Sequence, residues 1–397
     1  MPGLPPLRVL SPTAILGYGF PTASFEAGLA LNPDVIAVDA GSSDPGPYYL
    51  GAGVSFTDRA AVKRDLRHML IAGRARGIPV LVGSAGGAGA RPHLDWTVDI
   101  IREIAREDGL KGRLAVIPSD MDKGALLAAL TKGDLVALPP GGPATPADIE
   151  DSTHIVAQIG EDPLIAALRA GADVVVAGRC YDPSVFAALP ILRGYPRGLA
   201  LHMGKILECA AIAALPGSGS DCMMATLDDT GFVLETLNPA RICTVTSVAA
   251  HTLYEKSDPY HLPGPGGALN LTGTDFAQLD PARVRVTGSV FEPSDGYFVK
   301  LEAAHGGERT PRAERHAAER LDRRADAFGR LDHGAAVAAG DQLLRHALQR
   351  VQAGQGVVEA ELDEAPSGVV GAAAAAGVTH DPIGGLAGDR QPAQQET

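Results

Sequence analysis

The segment Gly83-Ser84-Ala85-Gly86-Gly87-Ala88-Gly89-Ala90-Arg91-Pro92-His93-Leu94-Asp95 mixes small residues with titratable ones, the pattern of a loop that grips an anion and moves a proton. It follows the apolar run Ile78-Pro79-Val80-Leu81-Val82 and precedes Leu94, Val98, Ile101 and Ala105 at helical spacing, so it joins a strand to a helix. Gly86, Gly87 and Gly89 permit positive φ and close approach of backbone N–H groups, and the helix N-terminus adds about half a positive charge. Ser84 and Arg91 extend this anion-binding set. His93 and Asp95 fall in the first helical turn as proton-transfer candidates. The spacing fits neither the dinucleotide fingerprint nor the P-loop. A tight turn with glycines for packing alone is the competing reading.

Other strand ends offer similar chemistry. After Val35-Ile36-Ala37-Val38 come Asp39 and Ser42 in a polar loop, where Asp39 suits holding a hydroxyl, ligating a hard cation or capping backbone. After Val174-Val175-Val176-Ala177 comes Arg179, suited to bidentate contact with a carboxylate or phosphate, or equally to an ion pair with Asp182. Asp182 also suits capping a helix that starts at Pro183. Cys180 lies beside Arg179, with no base identified for it. A helix expected over 199–214 places His202, Lys205, Glu208 and Cys209 on about one third of its circumference. That stripe is either a solvated face or a site wall in which Lys205 neutralises substrate charge and His202 or Glu208 moves protons. His251, Tyr254, Glu255 and Lys256 form a weaker grouping that reads as surface. No spacing resembles a His-Glu-x-x-His or Cys/His metal motif, so no metal is expected.

The elements that must position these residues follow from hydrophobic periodicity. Strands are expected near 34–39, 78–83, 113–117, 134–138, 155–159 and 173–178, with helices over 58–76, 92–106 and 162–170 between them. This predicts an α/β fold, a doubly wound, mostly parallel sheet whose ligands sit outside the carboxyl ends of the strands. After Gly217-Ser218-Gly219-Ser220, two runs around Asp229-Thr230-Gly231 read as a hairpin. Three regions result: an α/β ligand-binding domain over 1–214, a smaller α+β subdomain over 215–304, and an Ala/Arg/Gly-rich tail over 305–397. The tail reads as disordered or irregular, with helical periodicity over 313–330 and 335–351, or as the product of a shifted reading frame.

Composition narrows the function classes. A formal net charge of -13 over 397 residues, with no basic run, argues against nucleic acid as a partner. No uninterrupted run reaches the roughly 18 apolar residues that would span a bilayer, and no membrane association is expected. Four cysteines without a C-x-x-C pair read as reduced thiols in a cytoplasmic protein. Size and class favour a homo-oligomer.

The glycine loop Gly83 to His93, together with Ala177-Gly178-Arg179-Cys180-Tyr181-Asp182-Pro183 and His202-Met203-Gly204-Lys205-Ile206-Leu207-Glu208-Cys209, resembles the acyclic terpene utilisation family typified by AtuA. Ser247 to Glu255 and Gly296 to Glu302 carry further likeness, and the resemblance departs after Ala304. It implies a catabolic protein associated with degradation of citronellol- and geraniol-type terpenes and other carboxylic acids through CoA thioesters. The expectation is a hydratase, lyase or isomerase acting on a small-molecule carboxylate or acyl-CoA, with no redox cofactor. A ligand-binding or assembly component and a nucleotide-phosphate-binding protein are the alternatives.

Overall fold

The valine-rich runs at 35–38 and 174–177 are buried on both faces, which is how strands in the middle of a parallel sheet read. The computed structural model describes residues 3–41, 47–138, 142–253, 258–305, 337–339 and 358–362. The described residues belong to one compact unit that ends at residue 364, and residues 365–397 lie outside the described residues. Along this unit run β1 (Leu7–Ser11), α1 (Thr22–Ala30), β2 (Val35–Asp39), α2 (Pro47–Ala52), α3 (Arg59–Arg76), β3 (Val80–Gly83), α4 (Arg91–Asp108) and β4 (Arg113–Ile117). Then follow α5 (Lys123–Lys132), β5 (Leu135–Ala137), α6 (Pro146–Asp151), β6 (Ser152–Ala157), α7 (Asp162–Arg169), β7 (Val174–Ala177), α8 (Ser184–Leu192) and α9 (Arg197–Leu207). The remaining elements are β8 (Met223–Leu227), β9 (Gly231–Thr236), α10 (Val245–Thr252), β10 (His261–Gly264), β11 (Gly267–Asn270), β12 (Asp275–Asp280), β13 (Arg283–Thr287), β14 (Val290–Pro293), β15 (Val299–His305), β16 (Val337–Ala339) and β17 (Val358–Glu361).

The main sheet has the order β12-β13-β9-β8-β1-β2-β3-β7-β4-β17. Its core, β1-β2-β3-β7-β4, is parallel, and antiparallel strands extend it on both sides. Side chains alternate between faces along each core strand. Leu10, Ile36, Val82 and Val176 pack under α1, α3 and α4; Val9, Ala37, Leu81 and Val175 pack under α7, α8 and α9. Helices therefore cover both faces of the sheet, and its doubly wound character stands. Local signals set the helix ends: Asp58 caps α3 by accepting from the Ala61 N–H at 2.9 Å, and Gly77 closes it in the left-handed conformation.

Two of the expected parallel strands go elsewhere. β5 and β6 leave the main sheet for a four-stranded antiparallel one, β5-β16-β15-β6, with its own core of Leu126, Ile155, Val299 and Leu301. The hairpin β8–β9 instead joins the main sheet, β8 lying antiparallel to β1. The C-terminal stretch contributes β16, where helical periodicity was read, and β17; the rest of it, including the helix expected over 313–330, lies outside the described residues.

Candidate functional site

Four core strands deliver polar residues to one edge at their carboxyl ends, and a fifth strand reaches in from the side. Asp39 ends β2, Ser84 follows β3, Ser119 follows β4, and Arg179 and Asp182 follow β7. Glu302 comes from the middle of β15, whose partner β6 runs on into an isolated parallel bridge between Ile159 and Cys180. Arg179, 3% exposed, is the hub. Its Nε donates to Glu302 Oε2 at 3.0 Å, and its Nη1 donates to Asp182 Oδ1 at 2.6 Å, Ser84 Oγ at 2.8 Å and the Cys180 carbonyl at 3.0 Å. Its backbone N–H donates to Ser119 Oγ at 2.6 Å. Of the two alternatives for Arg179, the ion pair with Asp182 is present, and Nη2 has no hydrogen bond to the described residues. Asp182 spends its carboxylate on Arg179, and α8 starts without a side-chain cap.

The electrostatics follow from burial. Burial pushes the Asp39 carboxyl well above the usual carboxylate range; nearby Asp182 adds to this, while Arg179 and Ser84 work against it. Asp39 Oδ2 accepts from the Gly41 N–H at 3.1 Å, and Oδ1 is buried without a well-placed partner. Asp39 is therefore a carboxyl of raised proton affinity within the field of a cation. Burial acts the same way on Glu302 but is outweighed by Arg179 and Lys300, which hold that carboxyl down to about 2. Burial lifts the Cys180 thiol to about 12, so it carries no thiolate.

α9 forms a second group behind this one. Gly204 lets the helix press against Pro183 at the start of α8, where a Cβ would lie 2.5 Å from the Pro183 carbonyl oxygen. Lys205 and Glu208 form a buried ion pair at 2.5 Å. Burial opposes the Lys205 charge, but Glu208 outweighs it and holds the ammonium above its usual range. Tyr181 lies within the field of Glu208, Lys205 and Asp182, which links the two groups. His202 does not face them as a proton carrier. Its Nδ1 pairs with Ser289 Oγ at 2.6 Å and its Nε2 with Thr252 Oγ1 at 2.9 Å, between the rings of Phe232 and Phe276. Burial, aided by Lys205, pushes His202 down to about 3, so it is a neutral, satisfied core imidazole.

The glycine loop engages its own N–H groups within the protein. The N–H groups of Ser84, Ala85, Gly87 and Gly89 donate to the carbonyls of Gly178, Ala177, Ser84 and Ala85. Gly86 packs on His93, Gly87 on the Phe56 ring, and Gly89 on the Arg179 backbone. The loop thus seats Arg179 and presents the Ser84 hydroxyl. His93 is fully buried, its Nε2 3.0 Å from the Tyr49 carbonyl and 3.1 Å from that of Val54; burial lowers its proton affinity. It anchors the α2 region to α4. Arg91 and Asp95 pair with each other at 2.7 Å on the surface, 61% and 51% exposed. Ser42 lies outside the described residues, as do Tyr254, Glu255 and Lys256 of the second helical grouping.

Glu302 was missed because its partner stands 123 positions earlier and nothing local in Lys300-Leu301-Glu302 distinguishes it. Among the described residues no three His, Cys, Asp or Glu side chains are grouped to hold a metal ion, and no helix is long and apolar enough to cross a membrane.

Fold and site together define a doubly wound α/β protein with a buried arginine–carboxylate constellation at the carboxyl edge of its parallel strands. The family model described as "Acyclic terpene utilisation family protein AtuA" matches residues 59–311, well over half of the chain, and the chain belongs to that family. No curated protein and no solved structure matches it. Arg179, Asp182, Lys205, Glu208 and Glu302 lie inside the matched stretch, and Asp39 precedes it.

Proposed function

We propose that this protein is a catabolic enzyme that transfers protons to or from a small carboxylate or its CoA thioester, a hydratase, lyase or isomerase in type. The observation that carries the reading is Asp39, a buried carboxyl raised in proton affinity at the end of β2 and within the field of the Arg179 guanidinium. In this reading Arg179 Nη2 stabilises the oxygen on which negative charge develops, and Asp39 supplies or receives the proton. Ser84 and Ser119 position Arg179, while Glu302 and Asp182 fix its plane. Chemistry of this kind runs on proton carriers and uses no redox cofactor. A terpenoid acyl-CoA is the substrate class that family membership favours, and a cytoplasmic homo-oligomer is the assumed setting. Nucleotide binding fits less well, because four loop N–H groups that would cradle phosphates are already engaged.

A thermal-shift screen of free carboxylates, CoA thioesters and nucleotides tests this, since a ligand at about 100 times its Kd stabilises the fold by about 2.7 kcal/mol. Stabilisation of the wild-type protein by carboxylates or thioesters, lost in Arg179→Met, is the expected result. Stabilisation by nucleotides alone would overturn the reading.

A further inference from the structure

Just before α7, Glu161 is 1% exposed and sits where a residue caps a helix, yet its side chain makes no cap hydrogen bond. Its Oε1 lies 2.6 Å from Arg197 Nε, and its Oε2 is buried without a partner among the described residues. The Arg197 guanidinium is stacked over the Phe291 ring, 3.9 Å from its centroid. Tyr297 closes the group: a Cβ on Gly160 would lie 2.6 Å from its hydroxyl, and one on Gly266 would lie 2.8 Å from its ring. That hydroxyl is also buried, set near Asp162 without a well-formed hydrogen bond. The residues are tied to the Arg179 loop by backbone: Ile159 N–H donates to the Arg179 carbonyl at 3.1 Å, and Tyr181 N–H to the Ile159 carbonyl at 2.8 Å. Tyr181 itself feels the charges of both Asp182 and Glu161.

A buried carboxylate oxygen left unpartnered is costly to folding unless a ligand or water satisfies it. Arg197 already supplies the countercharge, so the missing partner is a neutral donor. A hydroxyl, being donor and acceptor at once, answers both Glu161 Oε2 and the Tyr297 phenol. We propose that Glu161, Arg197 and Tyr297 form a second subsite on this edge that receives a hydroxyl group of the substrate, with Glu161 Oε2 accepting its hydrogen bond. This rests on the carboxylate or thioester reading above and narrows it to hydroxylated acyl groups. Burial raises the Glu161 proton affinity against the pull of Arg197, which suits the residue to take up a hydroxyl proton as well as bind it.

The test is calorimetric titration of the full chain with two ligand pairs, butyrate with 3-hydroxybutyrate and butyryl-CoA with 3-hydroxybutyryl-CoA. Within the pair it accepts, the wild-type protein is expected to bind the hydroxylated member about tenfold more tightly or better, because a site built for a hydroxyl rejects the analogue without one. Glu161→Gln and Tyr297→Phe are expected to bring that ratio down toward about twofold. Equal affinity for the two members in wild type, as for a position that holds only water, overturns the subsite and leaves the broader reading intact. So does a preference unchanged in both variants. Failure of the folded wild-type protein to bind any of the four ligands overturns the subsite as stated, while the broader reading stands or falls by the thermal-shift screen. Should Glu161→Gln not fold, Tyr297→Phe, which keeps the ring against Gly266, carries the comparison.

Discussion

Ser84 Oγ accepts a hydrogen bond from Arg179 Nη1 at 2.8 Å across 95 residues of sequence, and it accepts a second from the Cys180 N–H at 3.3 Å. Both lone pairs of the hydroxyl are thereby used, and its one hydrogen remains to be shared with Asp39. A single side chain after β3 thus sets the direction of the cation after β7 and conditions the acid after β2.

The seat beneath Arg179 is steric as well as polar. In Gly89→Ala the new Cβ would stand 2.1 Å from the Arg179 backbone nitrogen, at a φ of +73° that already strains an L-residue. Gly77, at φ +63° with nothing within 4 Å of a Cβ, carries the backbone strain alone. In urea unfolding, Gly77→Ala is expected to cost about 1 kcal/mol and Gly89→Ala more than about 4 kcal/mol. Similar losses for the two would show that the loop does not bear on Arg179.

Asp39 gives a signed pH dependence. Its native carboxyl holds a proton to higher pH than the unfolded one, so the folded chain binds more protons between those two values. Stability from this group therefore falls as pH rises from about 3.9 through the native value, by at most about 1.4 kcal/mol per pH unit. Turnover that needs the protonated acid falls over the same alkaline limb. Asp39→Asn is expected to remove the slope in stability and to lower turnover by about 10²–10⁴-fold at neutral pH. Stability profiles that superimpose for variant and wild type would deny Asp39 its raised proton affinity.

His202 acts in the opposite sense. The unfolded imidazole takes up a proton below about 6.5, and the buried native one only at about 3. Stability is complete above 6.5 and falls as pH drops toward 3, by at most about 1.4 kcal/mol per unit. Urea midpoints at pH 7 and pH 5 are expected to differ less in His202→Gln than in wild type. His251, pushed down to about 4 chiefly by burial, leaves some acid sensitivity in the variant.

The strands of the parallel core were legible because their burial on both faces leaves continuous runs of Val, Ile, Leu and Ala with turn signals at each end. Partnership was not. Leu135–Ala137 and Ser152–Ala157 carry the same apolar signature but pair with Val337–Ala339 and Val299–His305 respectively, and no local feature says which sheet a buried strand will join. Arg179, Asp39 and Ser84 were found because ligands gather at strand ends. His93 looked reactive for its place in a first helical turn, while the two carbonyls that receive it come from a segment some forty residues earlier. Glu161 read only as a residue before a helix; its interest depends on Arg197 and Tyr297, which the chain brings to it from afar.

β7 lies between β3 and β4, both of which precede it in sequence. Among the described strands β4 meets the core of the sheet only through β7, and the carbonyls of Ala177 and Gly178 hold the loop that carries Ser84. The segment that brings Arg179 is thus also the one that joins the two sides of its seat, so a chain without β7 in register would lose the placement of Ser84 and Ser119 together with the cation.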